Sequence, residues 1–296
     1  MVQPDEPLRG VEKTALGVAM VRARESHRDD RLFDDPYAQA FVDAAPGAFP
    51  EEPKTPEELA ALGPMASLGA VFYVHGAIRT RFFDDYLTAA TAAGCSQVVL
   101  LAAGLDTRAF RLPWPQRTRV FEVDLPDVLA FKDTVLATQG AVPRCERTTV
   151  PADLRADWTA ALTEAGFDRT SPAGWLAEGL LIYLSAAEAE RLLDGISELS
   201  APGSQLAFEH SPMAAATLTD QARQMPAMRH YTKLWKGGLG NDALRWLTSH
   251  GWQPELHELA ILAAAYQRPV PAQAHGGFLT ATRIQPSGPH DERARA

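Results

Sequence analysis

Two cysteines in 296 residues, Cys95 and Cys145, are too few for a disulfide framework and make no metal-ligand pattern. The plain reading is two buried free thiols in a reducing compartment. No apolar run comes near the roughly 20 residues that cross a bilayer. Met1–Glu6 also lacks the basic-then-apolar order of a signal peptide. A cytoplasmic protein with no membrane partner is expected. Positive charge is scarce: 28 Lys+Arg face 37 Asp+Glu, a formal charge of −9. Binding nucleic acid through its phosphates needs clustered Lys and Arg, so no nucleic-acid partner is expected. Internal repeats are absent. Apolar residues at 46% and charged residues at 22% are ordinary globular proportions. A chain of this length can bury a large core.

The first ninety or so residues read as helical. Thr55-Pro56-Glu57-Glu58 has the form of a capping box with proline at the first helical position, and Gly63-Pro64 reads as that helix's stop. Asp34-Asp35-Pro36 reads as another cap. After Gly94 the pattern changes to short apolar runs alternating with helical segments. Strands are expected at Gln97–Ala102, Arg119–Asp124, Thr148–Asp153, Gly174–Glu178 and Gln205–Glu209, and two more at Glu255–Ala263 and Phe278–Arg283. Between them, Asp124-Leu125-Pro126 opens a helix, Asp157 caps one, Ser185–Glu188 forms a capping box and Asn241 caps another. This alternation predicts an open, mostly parallel sheet of seven strands with helices on both faces. The division expected is a helical N-terminal extension or lid over residues 1–93, a Rossmann-like core over 94–285 with a lid insertion at 211–240 after the fifth strand, and a disordered polar tail at 286–296.

In such sheets ligands bind outside the carboxyl ends of the strands, where strand order reverses. The first strand ends in Leu101-Ala102-Ala103-Gly104-Leu105-Asp106-Thr107-Arg108, and Asp124 follows Gly104 by twenty residues at the end of the second strand. A glycine turn and an acid at that spacing are the signature of a nucleoside cofactor, the acid accepting both ribose hydroxyls. A dinucleotide site wants G-x-G-x-x-G beneath its pyrophosphate. Here two of the three glycines are missing and Asp106 would repel a phosphate. S-adenosylmethionine carries a sulfonium, an amino group and one carboxylate, so acidic neighbours suit it better. The competing plain reading is a core strand ending in a glycine turn with no ligand.

Residues 97–131 resemble the S-adenosylmethionine site of the leucine carboxyl methyltransferase family, and especially its large bacterial branch. The resemblance extends to TALGVAMVRARES (14–26), RLFDDPYA (31–38) and RTRFFDDYL (79–87) upstream. Downstream it includes ADLRADW (152–158), WLAEGLLIYLSAAEAERLL (175–193), WLTSHGW (246–252) and FLTATR (278–283). It implies a class I S-adenosylmethionine-dependent methyltransferase with S-adenosyl-L-methionine as cofactor. By resemblance, Ala102 and Gly104 lie in the turn beneath the cofactor's methionine part, Ala102 standing where eukaryotic relatives usually have glycine. Asp124 would hold the ribose with Leu125 beside it. Asp153 and Leu154 would flank the adenine, and Glu178 would lie near the methionyl amino group. Arg81 would pair with the cofactor carboxylate, and Tyr183 would line the site. An N-terminal cation is also implied, with Lys13, Arg22 and Arg24 as candidates.

Each assignment has a bland alternative. Asp124 and Asp153 could simply cap helices. Glu178, inside an apolar stretch, needs a cation or ligand nearby, and a structural ion pair would serve. One of Arg79 and Arg81 is expected in a surface pair. For the acceptor, Tyr73, His75, His210 and Tyr231 are candidate contacts, with His230 and Trp235 in the insertion, though packing roles compete for every one. Methyl transfer from a sulfonium is an in-line displacement that needs proximity and alignment, so no catalytic residue is assigned. A carboxylate acceptor is already ionised at pH 7, whereas an alcohol or phenol needs a general base. The resemblance points to O-methylation of a carboxylate on a small molecule or peptide. A hydroxyl or phenol acceptor and a noncatalytic cofactor-binding protein remain alternatives. A nucleic-acid methyltransferase is disfavoured, because Glu178-Gly179-Leu180-Leu181 stands where amino-methylating DNA enzymes carry an Asn/Asp-Pro-Pro-aromatic motif.

Overall fold

The computed structural model describes residues 11–48, 55, 63–210, 232–270 and 276–284. Three helices precede the sheet: α1 (Val11–Ser26), α2 (Ala38–Asp43) and α3 (Pro64–Ala92). Gly63-Pro64 opens α3 rather than only closing an earlier helix. Gly63 holds φ at +51°, and Pro64 takes the first helical position, where its missing N–H costs nothing. The helix expected before it, and the tail at 286–296, lie outside the described residues. Along α3 the buried set Ala77, Ile78, Phe82, Phe83, Tyr86, Leu87 and Ala90 recurs at helical spacing. All of these but Ala77 pack in one cluster with Val98 and Leu100 of the first strand.

The sheet then alternates with helices: β1 (Gln97–Leu101), α4 (Arg108–Arg111), β2 (Arg119–Asp124), α5 (Pro126–Thr138), β3 (Glu146–Pro151), α6 (Trp158–Glu164), β4 (Ala173–Ala177), α7 (Ala186–Glu198), β5 (Gln205–His210), α8 (Ala243–Ser249), β6 (Trp252–Glu258), α9 (Leu259–Ala265) and β7 (Gly277–Arg283). Its order is β3-β2-β1-β4-β5-β7-β6. The first five strands pair in parallel, and β7 runs antiparallel between β5 and β6. All five residues of β1 and of β4 are buried, as strands covered on both faces must be. One face packs Trp158, Trp175, Leu192, Leu193 and Ile196 together, and the other packs against α3. This is the mostly parallel seven-stranded α/β fold of class I S-adenosylmethionine-dependent methyltransferases, and strand order reverses between β1 and β4.

The helix signals are realised unevenly. Asp157 accepts the Ala160 amide, and Ser185 and Glu188 close a reciprocal capping box. Three expectations need correction. The strand expected at Glu255–Ala263 is β6 only as far as Glu258; the following Leu-Ala-Ile-Leu-Ala-Ala-Ala run is built of strong helix formers and turns into α9. Asn241 lies in a single 3-10 turn, Gly240–Asp242, and the helix itself starts from Asp242. Asp35 accepts the Tyr37 amide but does not cap α2, because its carboxylate is turned inward to Thr107.

Candidate functional site

The carboxyl ends of β1, β2, β4 and β5 form the working edge. Past β1 the chain turns sharply: Ala102 has φ +50° and Gly104 φ +48°. A side chain at Gly104 would place its Cβ 3.4 Å from that of Ala15, so α1 runs directly across the turn. At the end of β2, the Asp124 carboxylate accepts the Gly104 amide through Oδ2 and the Leu125 amide through Oδ1, both at 2.6 Å. Burial raises its pKa, and the two amides and the Lys132 ammonium only partly offset that. Leu125, exposed, is the residue at the α5 cap position, and no side chain caps that helix. Asp124 therefore ties β2 to the β1 turn rather than serving as a helix cap.

An unbroken chain of ion pairs runs beneath this edge. Arg22 of α1 meets Asp35 at 3.4 Å, and Asp35 lies 4.0 Å from Arg111. Arg111 binds Asp84 of α3 at 2.6 Å, and Asp84 binds Arg108 at 2.7 Å. Arg108 reaches Asp106 and, at 2.7 Å, Glu178. Glu178 meets Arg79 at 2.9 Å, and Arg79 meets Glu209 at 2.6 Å. The chain joins four arginines to five carboxylates, leaving one negative charge in excess. Burial opposes the charges of Arg79, Asp106, Arg108, Arg111 and Glu178, but neighbours of opposite sign prevail: Arg108 holds Asp106 down at about 2, and Arg108 and Arg79 hold Glu178 below the usual carboxylate range. Arg22 also donates to the Leu105 carbonyl at 2.6 Å, which fixes α1 to the turn after β1.

The expected residues fall into three groups. Ala102, Gly104, Asp124, Leu125, Glu178 and Tyr183 gather at the carboxyl edge. Tyr183 lies in a 3-10 turn, Leu181–Tyr183, within electrostatic reach of Arg79. His75 stands one helical turn before Arg79, with its ring 5.8 Å from Phe278. Burial and the Arg79 charge depress it to about 4, against a smaller opposite pull from Glu178. His210 ends β5, also depressed by burial.

A second group follows β3. Leu154 packs on the core, and Asp153 is gripped by Arg155 at 2.7 and 2.9 Å. Asp153 caps no helix, that role falling to Asp157.

The third group departs from expectation. Arg81 does not face Glu178. Two residues beyond Arg79 it points to the other side of α3, bound to Asp85 at 2.8 Å and to the Leu32 carbonyl at 2.8 Å. Arg79 is the arginine that meets Glu178 and Glu209, and Arg81 is the surface pair. Tyr73 donates its hydroxyl to buried Glu25 and lies under Arg24 at 4.5 Å. Arg268 binds the same glutamate at 2.7 Å, so Tyr73 belongs to a clamp between α1, α3 and the segment after α9. Of the three N-terminal cations, Arg22 is the one brought to the turn; Arg24 is exposed, and the Lys13 side chain lies outside the described residues, as does Tyr231. The cysteines are both free, Cys95 buried and Cys145 half-buried.

The sequence profile of the family described as leucine carboxyl methyltransferase matches residues 15–197. The chain belongs to the leucine carboxyl methyltransferase family. It is 53% identical to a protein of Frankia alni, covering 93% of this chain and 95% of that one. Against a protein of Parafrankia sp. it is 50% identical over 93% of this chain and 87% of the other. Both relatives carry the name of S-adenosyl-L-methionine-dependent methyltransferases, with no acceptor stated. Among solved structures, a duf574 family protein from Streptomyces avermitilis matches with a TM-score of 0.55 at 15% identity, covering 90% of this chain and 97% of that one. A methyltransferase by name from Thermobifida fusca matches with a TM-score of 0.50 at 18% identity, covering 75% and 88%. At such identities the likeness shows the fold.

The protein is thus an S-adenosylmethionine-dependent methyltransferase. The chemistry of the donor set fits this cofactor. Its sulfonium and ammonium outnumber its carboxylate, and this chain offers one unmatched carboxylate in a nearly buried ion network. Among the described residues no group of three or more His, Cys, Asp or Glu could hold a metal ion, and no helix is long and apolar enough to cross a membrane.

Proposed function

We propose that this methyltransferase transfers its methyl group to oxygen, esterifying a carboxylate of a small molecule or peptide in the cytoplasm. The observation carrying this reading is the state of the two imidazoles on the working edge. His75 is held at about 4 and His210 below the ordinary imidazole value. An alcohol or phenol must give up a proton during attack, and a base with so little affinity for it contributes weakly. A carboxylate brings its charge ready-made and needs only alignment.

In this reading S-adenosylmethionine supplies the methyl group on its sulfonium, and the chain holds both reactants in line. Asp124 accepts from the ribose hydroxyls while keeping the Gly104 turn shaped by its amide bond. The bare Gly104 backbone lies beneath the methionine part. Asp153 and Leu154 flank the adenine, and Glu178 takes the methionyl ammonium. Tyr183, His75 and His210 border the acceptor. Residues 1–93 act as an extension over the core at 94–285, with 211–240 as an insertion.

The test is transfer of a labelled methyl group from S-adenosylmethionine to panels of carboxylic acids, peptides and phenols. Product label released by mild alkali marks an ester. A flat rate above about pH 5 is expected for a carboxylate, following its reference pKa. Alkali-stable label with a rate rising near neutrality would replace this reading by hydroxyl methylation.

A further inference from the structure

We infer that Glu209 is a positioning residue for the cofactor, dividing Arg79 between two carboxylates so that Glu178 keeps negative charge for the cofactor's ammonium. The inference rests on the reading of Glu178 as the ammonium partner.

β4 and β5 are parallel neighbours with Ala177 abreast of Phe208, so the next residues along, Glu178 and Glu209, also stand abreast. Adjacent strands are about 4.8 Å apart, and like charges facing across them repel. Arg79 of α3 is inserted between the two. Its Nε lies 2.9 Å from Glu178 Oε1, and its Nη1 donates to Glu209 Oε1 at 2.6 Å. The planar fork of a guanidinium suits such a bridge, where a lysine's single point charge would not.

The other oxygen of Glu209 is also used. Oε2 accepts the Gly179 amide at 2.6 Å, in the residue directly after Glu178, where φ is +63°. Glu209 thus grips both the arginine that meets the Glu178 side chain and the backbone that carries it. Glu178 already faces Arg108 at 2.7 Å. With Glu209 neutral, Arg79 would belong to Glu178 alone. Glu178 would then face one undivided cation beside its share of Arg108, which Asp84 and Asp106 also hold, and the cofactor's ammonium would bind less well. Glu209 also escaped the reading that singled out Glu178, although it too interrupts an apolar run, Leu206-Ala207-Phe208-Glu209.

The test compares calorimetric affinities for S-adenosylhomocysteine and for its deamino counterpart, in which hydrogen replaces the amino group. The proteins are the full chain, E178Q, E209Q and E209D. E209Q keeps an acceptor for the Gly179 amide and loses only the charge. It is expected to weaken S-adenosylhomocysteine about tenfold, the equivalent of ~1.4 kcal/mol, and to leave the deamino ligand nearly unchanged. E209D, which keeps the charge, is expected to retain the wild-type preference for the amino ligand. Equal losses on both ligands in E209Q, or loss of preference in E178Q alone, would overturn the role given to Glu209. Loss of preference in E209Q alone would make Glu209 the direct contact and overturn the positioning role. Unchanged preference in both glutamine variants would show that Glu178 does not meet the ammonium, and the inference would fall with that reading.

Discussion

Asp124 and Gly104 are joined by a 2.6 Å hydrogen bond from the glycine amide to the carboxylate, so the acid after β2 and the turn after β1 are one unit. A change at Asp124 therefore acts on both. Asp124→Ala is expected to weaken S-adenosylhomocysteine binding by tenfold or more, about 1.4 kcal/mol or above, read by calorimetric titration. Asp124→Asn keeps a carbonyl oxygen for one amide and should lose less. Because burial raises the Asp124 pKa, proton uptake there begins at a higher pH than for an ordinary aspartate. Cofactor affinity should accordingly start to fall at a higher pH in the wild type than the aspartate reference value implies, and the aspect should vanish in Asp124→Asn.

Arg108 is the hub of the ion chain, bound to Asp84, Asp106 and Glu178 and 1% exposed. Arg108→Met leaves three carboxylates without their shared cation. Stripping one partner from a buried ionic network costs about 3–5 kcal/mol, so a large drop in the urea midpoint is expected. A change below ~1 kcal/mol, the scale of an exposed pair, would show the network to be solvated.

Ala102 and Gly104 have nearly the same positive φ and should respond oppositely to exchange. Ala102 carries a side chain in the left-handed region, at a cost of about 1–2 kcal/mol. Ala102→Gly removes that strain and adds backbone freedom to the unfolded chain, so stability should hold or rise slightly. Gly104→Ala imposes the strain and brings a methyl against Ala15. It should lower both the melting temperature and cofactor affinity.

His75 predicts an acid-sensitive fold. Its folded pKa of about 4 lies below the reference value near 6.5. Between these values the unfolded chain binds the proton and the folded chain does not, so stability falls as pH falls through that window. Urea midpoints at pH 7 and pH 5 should differ more for wild type than for His75→Gln. Equal differences would show that His75 is protonated at no cost in the folded state.

The sequence carried the architecture well because strand burial and helix capping are local. β1, β2, β4 and β5 each read as short runs that are largely apolar, and Ser185–Glu188 and Asp157 cap as their spacing required. Asp124 was found by its distance from the glycine turn. Three things escaped for physical reasons. The Arg79/Arg81 choice depends on the rotation of α3, since residues two apart face opposite sides of a helix, and the apolar residues around them are too many to define one stripe. The end of β6 was hidden because Glu255–Ala263 is apolar enough for strand or helix. The partners of Arg108, Arg111 and Asp84 come from separate elements, and no local pattern announces such meetings.

The ion chain also bears on how the site comes into being. Several of its contacts join residues far apart along the chain: Arg108 to Glu178 spans 70 positions and Arg79 to Glu209 spans 130, while the adjoining bond from Arg22 to the Leu105 carbonyl spans 83. Contacts of such sequence separation form late, after loop closure has been met by other interactions. The last anion needed, Glu209, emerges only with the fifth strand. A nascent chain halted before β5 would hold the glycine turn and the ribose acid but not the full charge network beneath them. Competence to bind the cofactor should therefore be acquired in one step near the end of synthesis, not accumulated strand by strand.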